Sequence, residues 1–411
     1  RNSTIRFVVE FTKPPPIEMV EFRCLNKKIN VKTIKMETMF AVGMKKDAKG
    51  IQSFYIPKPR IRKPTEVLVR IKQVGLDGTD FNMVKYDSKD IDEKRNEIVL
   101  GHEMLGIVED KGKKVKALKK GDFVTMTIRR GCNICAPCLH EQSDMCMTGL
   151  FTERGIHKID GFLTSYVVDD EKYMIKLPRN LGRYGVFVEP LSIAEKGIEQ
   201  IRLIQSRLPW GCGHPNHSFD SKSWGGCKTA FVIGAGPLGI LATCLLRLAG
   251  VNTYVLERKE EEHIKIKTIK RLGAKYIDIR KVTIPEAIKI AGDVHIIFEA
   301  SGASEFAINM IPHMSRSSIY VMTGIPKGEL KATFDAHAIL RQIVRYNQVI
   351  VGTVNSNAKH FQMAIQDIQR INRKFDNILD KIITHTFKIN RYEECFNLQD
   401  ANQLKIVVDV S

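Results

Sequence analysis

Thr229-Ala230-Phe231-Val232-Ile233-Gly234-Ala235-Gly236-Pro237-Leu238-Gly239 reads as a strand that runs straight into a glycine-rich turn. Ala230 to Ile233 form a short, continuous apolar run, the pattern of a strand covered on both faces. An apolar stretch at Ile240–Ala249 follows with the length of a helix, and a second strand, Thr253–Leu256, ends at Glu257-Arg258-Lys259. Further strands are readable at His295–Phe298, Ser318–Met322 and Gln348–Val351, with helical stretches between them. Strands alternating with helices predict an α/β unit built on a doubly wound parallel sheet.

The turn itself carries chemistry. A G-x-G-x-x-G match alone is weak, but this one follows a strand, opens a helix and precedes a second strand that ends in an acid, as dinucleotide binding requires. Gly234 permits the tight turn, Gly236 lets a pyrophosphate approach the backbone, and Gly239 lets helix and strand pack closely. Pro237 and Leu238 begin the helix whose free N–H groups and positive end would face the phosphates. Glu257 suits a ribose 2′-hydroxyl and NAD, whereas Arg258 and Lys259 suit a 2′-phosphate and NADP. Both coenzymes stay open.

Working back from the glycine turn, Pro209 to Lys228 is a polar loop, and Glu189-Pro190-Leu191 opens a helical stretch from Ser192 to Ile204. Cys212, His214, His217 and Cys227 in that loop could ligate a metal, but their spacing fits no known site and a surface insertion is the preferred reading. Earlier still the period becomes that of strands: Met39–Val42, Glu66–Ile71, Leu105–Glu109, Asp122–Ile128 and Thr164–Val168. Short strands with long loops predict a compact barrel-like domain. Residues 1–36 hold a Pro14-Pro15-Pro16 break and fit poorly with the rest of the chain; they read as an extension, or as sequence upstream of the natural start, and receive no role. Beyond the parallel sheet come a helix at Phe361–Asn372, further strand-like segments and a terminal strand at Lys405–Val410, which would return to the first domain.

Cys132, Cys135, Cys138 and Cys146 lie on one loop in a C-x2-C-x2-C-x7-C run. Four soft, anionic thiolates this close in sequence can converge on a tetrahedral zinc. Such a site leaves no open coordination position, so it would be structural, and Gly101-His102-Glu103 is the first place to look for chemistry.

At 411 residues the chain is long enough for about two domains. The net charge of +18 comes from Lys and Arg scattered among acids rather than from a basic arm, so it predicts a solvated basic surface and no nucleic-acid partner. The remaining cysteines show no pairing pattern, which is the usage of a reducing cytoplasm. An apolar run of about 18 residues is absent, as is a signal-peptide pattern. A cytoplasmic protein without a membrane partner is expected.

Together these residues resemble the zinc-dependent medium-chain dehydrogenase/reductase family, over roughly Met39 to Ser411. The resemblance rests on Gly75-Leu76-Asp77-Gly78-Thr79-Asp80, Gly101-His102-Glu103, the four cysteines, Glu189-Pro190 and Gly234–Gly239, all in the family's order. Within the family, Arg129-Arg130-Gly131-Cys132, Thr152–Lys158 with Asp160-Gly161-Phe162, Val188–Leu191 and Val351-Gly352-Thr353-Val354-Asn355 look most like the archaeal glucose 1-dehydrogenase branch. The resemblance implies a GroES-like β-rich catalytic domain (37–187, with a zinc lobe at 132–146), a Rossmann NAD(P)-binding domain (188–358) and a returning C-terminal segment (359–411). It implies a catalytic zinc on Asp77, His102, Glu103 and Glu189, where most members have a cysteine in place of Asp77. An all-N/O site should hold zinc less tightly than thiolates do.

Thr79 would relay a proton, with His102 the second catalytic residue, and Thr79, Glu153, Glu189 and Asn355 would contact a sugar. Arg345 stands where relatives can place a sugar-contacting histidine, and Ile128 where they often have a polar contact. The expected activity is oxidation of an aldose at C1 to the lactone with NAD or NADP, by a homotetramer. The competing readings are a polyol, sorbitol or threonine dehydrogenase of the same family, and a non-catalytic nucleotide- or nucleic-acid-binding member.

Overall fold

Alternation in Glu66-Val67-Leu68-Val69-Arg70-Ile71 makes a strand that buries Val67, Val69 and Ile71 and leaves the residues between them partly exposed. It is the centre of the N-terminal half. The computed structural model describes residues 37–208, 224–326 and 333–411. In chain order its strands are β1 (Thr38–Lys45), β2 (Gln52–Pro57), β3 (Glu66–Leu76), β4 (Glu97–Val99), β5 (Glu103–Lys111), β6 (Phe123–Met126), β7 (Arg129–Arg130), β8 (Thr152–Arg154), β9 (Lys158–Ile159), β10 (Tyr166–Asp170), β11 (Met174–Leu177), β12 (Thr229–Ile233), β13 (Asn252–Glu257), β14 (Lys275–Asp278), β15 (Ile296–Glu299), β16 (Ile319–Met322), β17 (Val349–Gly352), β18 (Ile383–Lys388) and β19 (Lys405–Asp409).

β3 runs on to Leu76, past the predicted end at Ile71, because both its edges are in use. β5 lies along one edge, and the other is shared by β10 against Glu66–Arg70 and β19 against Gln73–Leu76. The sheet order is β11-β6-β5-β3-β19-β18, so the last strands of the chain lie beside β3. Two small sheets, β2-β1-β4 and β7-β8-β9, accompany it.

The second half is a parallel sheet in the order β14-β13-β12-β15-β16-β17. Numbered from β12, that is the 3-2-1-4-5-6 order of doubly wound nucleotide folds, with the ligand crevice at the carboxyl ends of the strands. Alternate residues of β12 face opposite sides. Val232 joins the core that continues through the helix Val188–Gln205 to Met104 and Val42, while Phe231 and Ile233 pack with Tyr254 and Tyr320 on the other side. Each fully buried side chain of this size contributes roughly 1.5–3 kcal/mol.

Two helix starts and one strand differ from expectation for local reasons. The helix of the 190s begins at Val188, since proline is tolerated in a first turn, and this puts Glu189 inside the helix. The helix after the glycine turn begins at Pro237 rather than Ile240. β14 escapes the sequence pattern because polar residues Lys275 and Asp278 interrupt its apolar positions. The Cys212, His214 and His217 part of the histidine–cysteine cluster lies outside the described residues, as does the 1–36 segment. Among the described residues no helix is long and apolar enough to cross a membrane.

Candidate metal and coenzyme site

β3 ends at Leu76, and Asp77 caps the next helix, Gly78–Tyr86. The Asp77 carboxylate accepts from the backbone N–H of Thr79 at 2.6 Å and from the Thr79 hydroxyl at 3.2 Å. The β3–β5 register sets Glu103 opposite Gly75, and this brings His102 beside Asp77. The His102 Nε2 lies 3.6 Å from Asp77 Oδ1, and its Nδ1 lies 3.5 Å from Asp80 Oδ1. The first turn of Val188–Gln205 adds Glu189, and β19 adds Lys405, whose ammonium pairs with Glu103.

Two overlapping triads could each hold a cation: Asp77 with Asp80 and His102, and His102 with Glu103 and Glu189. His102 is common to both. The electrostatics show how crowded with carboxylates the place is. Burial alone would lower the His102 pKa, but Asp80 and Asp77 on either side raise it well above its usual value. Burial also works against the Asp77 carboxylate, yet His102 holds it well below the usual carboxylate range. Burial pushes Glu103 up to about 7, opposed chiefly by Lys405. It pushes Glu189 up to about 8, an effect His102 opposes and Glu103 and Asp77 reinforce. A divalent cation would relieve all four at once. Glu103 Oε1 is buried without a hydrogen-bond partner, and with the imidazole and carboxylate oxygens around it the donor set fits an ion with N/O preference.

Asp80 is the residue that sequence reasoning missed here. It is fully buried, accepts from the Gly101 and Asp77 backbone N–H groups and faces His102 Nδ1, the arrangement that orients a ligating imidazole. Its place three residues after Asp77 in a capping box was the available signal.

The four cysteine sulfurs lie within 4.8 Å of one another, and none forms a disulfide. A tetrahedron with metal–sulfur bonds near 2.3 Å has edges of about 3.8 Å, so the cluster fits zinc. Hydrogen bonds from Thr148 and the Ile134 and Cys135 amides lower the Cys132 thiol to about 5. Burial and the neighbouring sulfurs push Cys138 up to about 12, so not every thiol ionises unless a cation is present.

At the parallel sheet Gly234 has φ 95°, and a side chain at Gly239 would collide with the Gly234 carbonyl. A Cβ on Gly236 would meet nothing within 4 Å, so the start of the Pro237–Leu248 helix is open to a ligand. Pro237 and Leu238 form its first turn. Glu257 ends β13 and accepts from the Ala235 backbone N–H at 3.0 Å, which places the acid beside the glycine turn. Arg258 is exposed, Lys259 is partly so, and Lys265 lies 4.0 Å from Glu257. Glu299, also missed, ends β15 and accepts from the backbones of Ser301, Gly302 and Gly324, fixing the neighbouring turns.

Glu153 and Asn355 meet across the two halves of the chain, with Asn355 Nδ2 donating to Glu153 Oε1 at 2.6 Å. Gly155, two residues on from Glu153, packs against the Gly101 backbone, and Ser192 links the Glu189 carbonyl to Ser356. Both residues are thereby tied to the His102 and Glu189 segments. Ile128 is buried and accepts from the Arg154 backbone N–H. Arg345, in contrast, is exposed at the end of the helix Ala336–Arg345, and all of β17 separates it from Asn355.

Comparison with known proteins gives a consistent picture. A family described as glucose dehydrogenase C-terminus matches residues 182–410, and the alcohol dehydrogenase GroES-like domain matches residues 63–179. The chain is 30% identical to glucose 1-dehydrogenase of Methanocella arvoryzae over 367 residues, covering 89% of this chain and 97% of the relative. It is 32% identical to glucose 1-dehydrogenase 2 of Vulcanisaeta moutnovskia, covering 86% and 94%. The structure is similar to that of Haloferax mediterranei glucose dehydrogenase in complex with NADP, Zn and gluconolactone, with a TM-score of 0.80 at 28% identity over 91% of this chain and 99% of the other.

Proposed function

Since this chain belongs to the zinc-dependent medium-chain dehydrogenase/reductase family and is an oxidoreductase of its glucose dehydrogenase branch, we propose that it oxidises an aldose at C1, D-glucose first, passing hydride to NAD or NADP. The observation that carries the sugar reading is the Glu153–Asn355 pair, tied on one side to the His102 segment and on the other to Glu189. Two hydrogen-bonding groups that converge from different domains suit a polyhydroxylated substrate.

Asp77, His102 and either Glu103 or Glu189 would hold the catalytic zinc, whose Lewis acidity makes a sugar hydroxyl acidic near neutral pH. Thr79, whose hydroxyl donates to Asp77, would carry the C1 hydroxyl proton away from the site. Glu153, Glu189 and Asn355 orient the ring so that its C1–H faces the coenzyme, a positioning role. The Gly234–Gly239 turn would hold the coenzyme's pyrophosphate, with Glu257, Arg258 and Lys259 at the ribose end, and the nicotinamide would supply the hydride acceptor. The cysteine lobe would hold a second, structural zinc.

The test is nicotinamide reduction with glucose, galactose, xylose, sorbitol and threonine, before and after chelation. Aldose turnover that is lost on chelation and restored by zinc supports the proposal. Turnover confined to sorbitol or threonine would replace the substrate, and no turnover from metal-loaded protein would sink the catalytic reading.

A further inference from the structure

Asp144 lies on the short turn Ser143–Met145, two residues before Cys146, and is 5% exposed. Its Oδ2 pairs with Lys196 Nζ at 2.8 Å, its Oδ1 accepts from Asn357 Nδ2 at 3.0 Å, and its carbonyl accepts from Arg129 Nη1 at 3.0 Å. Arg129 Nε in turn donates to Glu153 Oε1 at 3.0 Å, the same oxygen that accepts from Asn355. Lys196 also donates to the Val354 carbonyl. The contacts close a ring: Asp144, Arg129, Glu153, Asn355, then back through Asn357 and Lys196.

The ring holds one short segment from several sides. Asn355 has φ 58°, in the left-handed region that asparagine tolerates better than most side chains, and the ring fixes it there. Val354, Asn355 and Asn357 are each tethered by a side chain from another element. Two buried cations balance two largely buried carboxylates, so no member can be removed without leaving a charge unmatched.

We propose that Asp144 and Arg129 are positioning residues, which make the sugar-binding geometry of Glu153 and Asn355 depend on the folded cysteine lobe. This deepens the sugar-oxidising reading and rests on it. The variants are D144N, which loses the charge facing Lys196, and R129K, which keeps the charge but loses the fork. N357S is milder: serine still caps the helix Ala358–Lys374 but cannot reach Asp144.

Two readouts are needed on the metal-loaded enzyme. In steady-state kinetics the aldose KM should rise about ten-fold in D144N and R129K where they fold and about three-fold in N357S, with the coenzyme KM moving by less than about two-fold. In hydrogen exchange without substrate, amides of residues 354–357 should exchange about ten-fold faster while the parallel sheet is unchanged. Aldose KM values within about two-fold of the parent, or unchanged exchange at 354–357, would overturn the proposal. So would a uniform rise in exchange across the chain, which marks general destabilisation. If the parent oxidises no aldose, the functional reading fails on its own, and exchange at 354–357 then decides the ring alone.

Discussion

Lys405 and Glu103, 302 residues apart in the chain, form an ion pair with side chains 0% and 1% exposed, immediately beside His102. The last strand of the chain thus supplies the counter-charge to a carboxylate of the candidate metal site. Removing one partner of such a pair strands the other charge in a dry place, at a cost of about 3 kcal/mol or more. K405M should therefore lower the denaturant midpoint strongly, and E103Q in the same chain should recover part of the loss. A K405M midpoint equal to the parent's would show that Glu103 does not depend on the pair.

The raised carboxyls make a pH prediction whose sign can be worked out. Glu103 at about 7 and Glu189 at about 8 both lie above the ordinary glutamate range. Between about pH 4.5 and about pH 8 the folded metal-free protein therefore binds more protons than the unfolded chain, and its stability falls as pH rises. His102, whose pKa is raised, acts in the same direction: its contribution is lost as pH passes its folded value. Asp77, held low, contributes stability that is lost only on the acid side of this window. The melting temperature of chelated protein should fall over this range, and the gain on adding zinc should grow with pH. A chelated protein whose melting temperature is flat with pH would contradict the burial argument.

What could be read from the sequence, and what could not, divides by sequence separation. The glycine turn and the four cysteines are local patterns, so spacing alone displays them. Lys405 with Glu103, and Arg129 between Asp144 and Glu153, are pairs made by the fold, and no local period marks them. Asp80 stands in the Gly-Thr-Asp motif, but no local pattern marks its position against His102, which the fold creates. Arg345, at the position where relatives can place a sugar-contacting histidine, ends the helix before β17, whereas Asn355 follows that strand.

Coenzyme choice turns on the end of β13. Glu257 faces the glycine turn, while Arg258 and the nearby Lys259 and Lys265 offer positive charge where a 2′-phosphate would sit. R258A should lower kcat/KM for NADP about ten-fold and leave NAD nearly unchanged, since a charge-assisted contact to phosphate contributes about 1.4 kcal/mol or more. E257Q should shift preference towards NADP by removing a carboxylate that repels the phosphate. Equal losses with both coenzymes would mean that these residues shape the turn rather than read the ribose.

The two candidate metal sites should behave differently because their donors differ. Asp77, His102, Glu103 and Glu189 offer hard oxygen and imidazole donors, and two of the carboxyls retain protons near neutral pH, with which a metal must compete. The cysteine lobe offers four soft sulfurs, and Thr148 with nearby amides already favours the thiolate at Cys132 and, to about 7, at Cys146. Brief chelation near pH 6 should therefore remove about one equivalent of zinc and abolish turnover, while about one equivalent stays bound. C135S should show the complementary pattern, losing the retained equivalent and melting earlier, with the exchangeable one still binding. Metal analysis of both proteins, read against their melting curves, decides it: loss of both equivalents together from the parent chain would show that the sites are not independent.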